Sequence, residues 1–125
     1  MTEHKPRVLV VDDDQVIRQL IGINLELEGF EVHMAADGEE ALRQVIDVVP
    51  DVVVLDVMMP RLDGLEVARR LRQDPRNADL RLVLVSARAQ AADLQRGEDT
   101  GVDAYITKPF EPDELVDVIR RLAAM

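Results

Sequence analysis

The stretch DVVVLDVMMP, residues 51–60, decides the fold of this chain. Four apolar residues at positions 52–55 run without a polar break between Asp51 and Asp56, which is typical of a strand covered on both faces in a parallel sheet. In open α/β sheets, ligands bind just outside the carboxyl ends of the strands. Asp56 closes the strand at that end, so it is the first candidate for chemistry.

Length, composition and charge limit the kinds of protein that this chain can be. Its 125 residues are 47% hydrophobic, enough for a single domain over residues 1–125, and the polar residues 1–6 are predicted to be a flexible tail. Only 2% are aromatic, which leaves little to stack on nucleic-acid bases. The formal net charge of -10 disfavours direct binding to nucleic acid or to a membrane surface, because association would begin with repulsion.

The sequence also indicates a cellular location. It has no cysteine, which excludes disulfides and thiolate metal sites. Residues 1–7, MTEHKPR, lack the apolar segment of a signal peptide, and nowhere do 18 apolar residues run together. We therefore expect a soluble, cytoplasmic protein.

Five apolar strand segments alternate with five helical segments along the chain. The strands are predicted at residues 8–11, 30–35, 52–55, 82–85 and 103–107, and the helices at 15–28, from 37 to before Pro50, at 65–72, at 87–100 and from Pro112 to the last turn. Short connections and right-handed crossovers then predict an α/β fold, a doubly wound parallel sheet with helices on both faces.

Local signals place the helix ends and faces. Asp14 is a candidate N-cap, Gly29 a stop signal, and Asp37 with Glu40 a capping box. The predicted apolar faces are Ala41, Leu42, Val45 and Ile46 on the second helix and Leu115, Val116, Ile119 and Leu122 on the last.

Polar residues close four of the five strands. They are Asp12 and Asp13 after the first strand, Asp56, Ser86 after the fourth and Lys108 after the fifth. The carboxyl ends of parallel strands share one edge of the sheet, so we expect these side chains to converge in one crevice.

Three carboxylates in one crevice require a cation. Hard oxygen ligands without His or Cys suit Mg²⁺ or Mn²⁺ better than Zn²⁺, and Mg²⁺ takes one or two carboxylates together with phosphate oxygens. A lysine ammonium and a serine hydroxyl suit a transferring phosphoryl group. The residues therefore favour Asp56 as a nucleophile that forms an acyl phosphate, with Asp12 and Asp13 as metal ligands.

Each of these residues alone has a simpler explanation. An Asp after a strand is usually a turn residue or an N-cap, Ser86 alone would be a helix cap, and Lys108 alone a surface charge. Their joint placement is what favours a site. The remaining candidates are assigned to structure: Asp14, Asp37 and Asp63 as caps and turn residues, Met58 and Met59 as gap-fillers in the core, and Tyr105 as a half-buried strand residue.

Four segments carry a resemblance to a known family. VLVVDDD at 8–14, DVVVLDVMMPRLDG at 51–64, VLVSA at 83–87 and DAYITKPF at 103–110 resemble the response regulator receiver domains of two-component signalling, in the order and at the spacing of that family. The resemblance covers residues 7–122 and implies a flavodoxin-like sheet with strand order 2-1-3-4-5.

The resemblance implies a role for each site residue. Asp56 would be the phosphoacceptor, taking a phosphoryl group from a phosphohistidine of a sensor histidine kinase or phosphotransfer protein. Asp13 would bind Mg²⁺ directly, Asp12 through water, and Met58 through its backbone carbonyl. Ser86 would be the switch hydroxyl with Lys108 as its salt-bridge partner, Tyr105 would be the switch aromatic, and the peptide bond before Pro109 would be cis.

The resemblance also implies how the signal is read. Phosphorylation would shift the face of the fourth helix, fifth strand and fifth helix, which a downstream protein or effector domain reads and through which homodimers form. The kinase would dock on the exposed side of the first helix, at Gln15, Arg18, Gln19 and Gly22. The protein would act on itself and turn over no external substrate.

Two other functions remain open at this point, together with the extent of the protein. One is a Mg²⁺-dependent phosphohydrolase with Asp56 as nucleophile, which lacks a substrate-binding cap here. The other is a flavin- or nucleotide-binding module, against which the absence of a G-x-G-x-x-G turn and of Trp counts. The chain is expected to be either a stand-alone receiver or a receiver cut from a longer protein.

Overall fold

Five parallel strands form one sheet in the computed structural model, which describes residues 5–87, 95 and 98–125. The strands are β1 (Arg7–Val11), β2 (Glu31–Ala35), β3 (Val52–Asp56), β4 (Arg81–Ser86) and β5 (Ala104–Thr107). They lie in the order β2-β1-β3-β4-β5, so the predicted doubly wound sheet and its strand order are confirmed.

Helices cover both faces of this sheet. They are α1 (Gln15–Leu27), α2 (Gly38–Val48), α3 (Gly64–Gln73) and a C-terminal helix (Pro112–Ala123), with a short 3₁₀ turn at Pro75–Asn77. The helix predicted at 87–100 lies mostly outside the described residues, but within this range residues 95 and 98–100 are described and helical. None of the helices that the structure describes is both long enough and apolar enough to cross a bilayer.

β3 is the centre of the core, and all five of its residues are buried. Its side chains alternate between two apolar clusters, one on each face of the sheet. Val53 and Leu55 face the cluster under α2 and α3, whereas Val52 and Val54 face the cluster under α1 and the C-terminal helix. Asp56 therefore ends a strand that is buried on both faces of the sheet.

Aspartate caps begin the first three helices, as predicted. Asp14 Oδ1 accepts from the Val16 amide at 2.9 Å, Asp37 Oδ1 from the Glu40 amide at 2.8 Å, and Asp63 Oδ1 from the Glu66 amide at 2.9 Å. The capping box on α2 differs in one bond, because Glu40 Oε2 accepts from the Ala36 amide at 3.1 Å and not from that of Asp37.

The predicted apolar face of α2 is partly wrong. Gly38, Ala41 and Val45 are the buried residues of α2, whereas Ile46 is 65% exposed. Positions 38, 41 and 45 follow the three- and four-residue spacing of one stripe, and Ile46 lies beyond its edge. On the C-terminal helix, by contrast, all four predicted residues are buried.

The predicted docking face of α1 needs one correction. Gly22 is buried, and a Cβ built there would overlap with Cε of Met34 on β2. The helix carries apolar residues on both sides, so apolarity alone does not identify its inner face. Val16, Leu20, Ile23 and Leu27 are the exposed aliphatic residues of α1, between 55% and 78% exposed.

Candidate functional site

Three carboxylates converge at the carboxyl edge of the sheet. Asp12 directly follows β1 and is 3% exposed, Asp56 ends β3 and is 5% exposed, and Asp13 is exposed. One carboxylate oxygen from each lies within 4.8 Å of the other two. The sheet thus joins residues that are 44 positions apart in sequence, as the order of the strands predicts.

Lys108 supplies a cation to this cluster from the end of β5. Its Nζ lies 3.5 Å from Asp12 Oδ2 and 3.6 Å from Asp56 Oδ1, with the lysine side chain only 24% exposed. Its backbone N–H donates to the Ser86 carbonyl at 2.8 Å, and the Lys108–Pro109 peptide bond is cis. Lys108 is therefore part of the site and is not a solvated surface charge.

Ser86 and Tyr105 lie on the neighbouring strands. Asp56 is paired in register with Val85, so Ser86 extends one residue further along β4 toward the crevice, and it is fully buried. Tyr105 is half-buried on β5 and packs against the cluster under α2 and α3, as predicted for a strand residue. A coupled movement of these two side chains stays a prediction.

The loop after β3 holds the Asp56 carboxylate by its own backbone. The Met58 N–H donates to Asp56 Oδ1 at 3.2 Å, and the Val57 N–H continues the ladder to the Val85 carbonyl at 3.0 Å. Met59 is buried as a gap-filler should be, but Met58 is 51% exposed, so its assignment to the core was wrong. The chain leaves the sheet at Val57, and strand alternation does not extend to Met58.

Burial sets the electrostatics of Asp12. Loss of solvent raises the pKa of its carboxyl above 3.8, and the charges of Asp56 and Asp13 raise it further. The Asp14 N–H, which donates to Asp12 Oδ1 at 2.9 Å, and the Lys108 ammonium oppose this rise in pKa. Ionised Asp12 is thus a group that folding disfavours unless a further cation is present.

We expect Asp12→Asn to stabilise the metal-free protein at neutral pH. Because the folded-state pKa of Asp12 lies above its ordinary value of 3.8, the contribution of Asp12 to stability falls as pH rises through that folded pKa. Asparagine keeps the acceptor for the Asp14 N–H but has no charge to desolvate.

The measurement is the melting temperature of both proteins in EDTA from pH 3.5 to 7. The two should melt together at the acidic end, and the variant should gain about 4 °C at neutral pH for each kcal/mol of relieved repulsion. A variant that melts below the wild type at pH 7 would contradict this account.

One contact at the site was not predicted from the sequence. Arg18 Nη1, on the first turn of α1, donates to the backbone carbonyl of Asp12 at 2.7 Å. It ties α1 to the loop that carries the acidic residues. Arg18 was predicted only as a residue of the exposed docking face, whereas it is half-buried, and the spacing along α1 does not show that its guanidinium reaches back to this loop.

The donor set fits a divalent cation. It consists of carboxylate oxygens from Asp12, Asp13 and Asp56, with no histidine among them, and the Lys108 ammonium lies within 4 Å of two of the three, Asp12 and Asp56. Hard oxygen donors in excess of the local positive charge are the ligands that Mg²⁺ takes in proteins. Asp13, the exposed member, and the buried Asp56 would hold the ion, with Asp12 at its side.

Comparison with known proteins gives one consistent answer. The family described as response regulator receiver domain matches residues 8–120. The chain is 41% identical, over 94% of its length and 48% of the relative's, to the DNA-binding dual master transcriptional regulator RpaA of Synechocystis. It is 46% identical, over 93% of its length and 49% of the relative's, to the response regulator MprA of Mycolicibacterium vanbaalenii. It thus spans about half the length of these curated relatives.

Solved structures agree with the sequence relatives. A putative response regulator from Chloroflexus aurantiacus superposes with a TM-score of 0.92 at 34% identity, covering 98% of this chain and 100% of that one. The chemotaxis protein CheY4 of Vibrio cholerae gives a TM-score of 0.90 at 31% identity, covering 95% and 99%. Together with the acidic cluster at the end of β3, these matches show that the chain belongs to the response regulator receiver domains, the phosphorylation-controlled switches of two-component signalling.

Proposed function

We propose that Asp56 accepts a phosphoryl group, in a Mg²⁺-dependent reaction, from the phosphohistidine of a sensor histidine kinase or phosphotransfer protein. The observation that carries this proposal is the place of the Asp56 carboxylate, at the end of the buried strand β3 and between two further carboxylates and the Lys108 ammonium. A carboxylate so placed has the Lys108 ammonium beside it and lies close enough to two other carboxylates to share a divalent ion with them.

The reaction is a transfer between two nucleophiles. An Asp56 oxygen forms a bond to phosphorus while the bond from phosphorus to the donor nitrogen breaks, and the electron pair stays on that nitrogen. The Met58 N–H orients the carboxylate at 3.2 Å, and the Lys108 ammonium stabilises charge on the phosphoryl oxygens. When bound through Asp13, Asp56 and the Met58 carbonyl, with Asp12 acting through water, Mg²⁺ would neutralise the remaining negative charge.

Phosphorylation then shifts a conformational equilibrium. The added charge of about -1.5 to -2 favours the arrangement that brings the Ser86 hydroxyl and Lys108 onto the phosphoryl oxygens, and Tyr105 moves inward with Ser86. The surface that includes β5 and the C-terminal helix is the one that a downstream protein, an effector domain or a second copy reads. The charge of -10 disfavours direct contact of this chain with DNA, so output passes through such a partner, in the cytoplasm.

A protein phosphodonor has to lie against α1. This helix begins at Gln15, two residues after Asp13, so a partner that reaches Asp56 meets its first turns. The exposed Gln15 and Gln19 offer hydrogen bonds there, and Val16 and Leu20 offer apolar surface. This face replaces the predicted set that included Gly22.

The test is incubation with acetyl phosphate and Mg²⁺, followed by intact mass and peptide mapping. The protein should gain one phosphoryl group, because Asp56 is the single proposed acceptor, and the label should be recovered on the peptide that carries Asp56. Receivers act on themselves and turn over no external substrate. Absence of uptake, or uptake mapped to another residue, would contradict the proposal. Sustained hydrolysis of an organic phosphate ester would instead favour a phosphohydrolase.

We expect Asp13→Ala to abolish stabilisation by Mg²⁺. A ligand present at about 100 times its Kd stabilises a folded protein by about 2.7 kcal/mol, which is readily seen as a rise in melting temperature. Asp13 is the exposed carboxylate of the cluster, so its removal takes away a ligand without leaving a buried cavity.

Asp14→Ala is the matched control. Asp14 caps α1 through the amides of Val16 and Ile17, so its loss lowers the baseline stability by about 1 kcal/mol, but the rise with Mg²⁺ should remain. An Mg²⁺-dependent rise in Asp13→Ala equal to that of the wild type would exclude Asp13 as a ligand.

A further inference from the structure

Gly64, the first residue of α3, lies directly against the backbone of Asp56. A Cβ built on Gly64 would lie 2.5 Å from the Asp56 carbonyl oxygen, 2.9 Å from its carbonyl carbon and 3.0 Å from Cα of Val57. Real Cβ atoms essentially never approach another atom below 3.0 Å. In addition, the Gly64 N–H donates to the Val57 carbonyl at 3.2 Å, so the start of α3 is bonded to the same short segment.

Position 64 requires glycine because a Cβ has no space there, not because the backbone adopts a conformation that only glycine favours. The glycines with positive φ are Gly29 and Gly101, and Gly64 is not among them. Of the five glycines that the structure describes, Gly64 is the one whose added Cβ would meet the backbone of a proposed site residue. At Gly22 the nearest atom is the end of the flexible Met34 side chain, which can move at little cost.

Packing constrains α3 more strongly than it constrains the Asp56–Val57 peptide. The helix side is fixed because Val67 and Ala68 are fully buried and Leu71 is 3% exposed in the core. The Asp56 side is the end of the strand, where the last ladder bond runs from the Val57 N–H to β4. A methyl group at position 64 would therefore displace the Asp56–Val57 peptide more readily than α3.

Displacement of that peptide would move the acceptor relative to its partners. The Asp56 carboxylate and the Met58 N–H that orients it are attached to either side of this peptide and would move with it. Asp12 and Lys108 follow other strands and would stay in place. The ion-pair distance of 3.6 Å from Asp56 Oδ1 to Lys108 Nζ would then change, as would the spacing within the carboxylate cluster.

We propose that Gly64 is a positioning residue for phosphoryl transfer: its missing side chain lets α3 close onto the Asp56–Val57 peptide and thereby sets the acceptor carboxylate and the Met58 backbone against the other strand ends. This inference rests on the proposed function, since it assigns to Asp56 the role of acceptor. It adds a residue that contacts neither the phosphoryl group nor the metal.

The experiment compares Gly64→Ala with the wild type in two measurements. Misplacement of reacting groups by about 1 Å costs on the order of 10²-fold in rate, so the initial rate of phosphorylation by acetyl phosphate, followed by intact mass, should fall by about that factor. Mg²⁺ affinity, measured by isothermal titration calorimetry without a phosphodonor, should weaken by about tenfold, because groups that orient metal ligands have effects of this size.

Two control variants separate positioning from loss of stability. Gly22→Ala adds the same methyl group at another buried helix position, and Leu71→Ala opens a cavity under the same helix, two turns from Gly64. Both should keep the rate and the Mg²⁺ affinity of the wild type, even where their melting temperatures are as low as that of Gly64→Ala.

Three outcomes would count against the inference. A Gly64→Ala rate and affinity equal to those of the controls would overturn it, and so would failure of Gly64→Ala to fold at a temperature at which Leu71→Ala is folded, since the role would then be structural. A wild type that takes up no phosphoryl group would instead overturn the proposed function, and this inference with it.

Discussion

Asp56→Asn should take up no phosphoryl group from acetyl phosphate under conditions that label the wild type to completion. The amide has nearly the shape of the carboxylate and its oxygen can still accept the Met58 N–H, which lies 3.2 Å from Oδ1 in the wild type. It is, however, not a nucleophile, and it lacks the charge that pairs with Lys108 at 3.6 Å. The loss should therefore be complete and should not come from unfolding.

The control for this variant is Asp51→Asn, at the other end of the same segment. Asp51 is exposed, and its carboxylate accepts from the Arg7 backbone N–H at 2.8 Å, far along the strand from the site. Its labelling should equal that of the wild type. Intact mass resolves one phosphoryl group, and circular dichroism shows whether each variant is folded. A labelled Asp56→Asn protein would place the acceptor elsewhere.

Lys108→Gln should change phosphorylation and metal affinity in opposite directions. Without the ammonium, the phosphoryl oxygens lose the positive charge that Lys108 provides, and removal of one such group commonly costs about 10²-fold or more in rate. The same ammonium lies 3.5 Å from Asp12 and 3.6 Å from Asp56, where it repels a second cation. Its removal should therefore tighten Mg²⁺ binding.

Lys5, the other lysine of the chain, provides the control. It is exposed before β1, so Lys5→Gln should leave both quantities unchanged. Rates come from intact mass at several times after mixing with acetyl phosphate, and affinities from calorimetry. A Lys108→Gln protein that loses rate and metal affinity together would indicate a collapsed pocket, and the opposed effect would then be wrong.

Much of the fold could be predicted because its signals are local or follow from topology. The unbroken apolar run of β3 indicated a strand buried on both faces, and the aspartates at positions 14, 37 and 63 indicated helix starts that are confirmed. Since all strands are parallel, their polar carboxyl ends had to share an edge. That single rule placed Asp12, Asp56 and Lys108 in one crevice.

The remaining features depend on packing that a linear pattern does not contain. α1 has aliphatic residues on both sides, so its inner face at Ile21 and Leu25 could not be separated from its outer face at Leu20 and Leu27. Met58 turns outward because the chain has already left the sheet. The contact of Gly64 with Asp56 is a distance between two elements, and in the sequence Gly64 is indistinguishable from a turn glycine.

The assembly of the crevice from separate strand ends has a consequence for the biogenesis of the protein. Asp12, Asp56 and Lys108 lie at the ends of β1, β3 and β5, and β5 is the last of the five described strands to be synthesised. Pairing of strands far apart in sequence is slow and comes late in folding. We therefore expect a chain in which β5 has not yet paired to lack the Lys108 ammonium beside Asp56, so that the proposed acceptor site is assembled only when the sheet is complete.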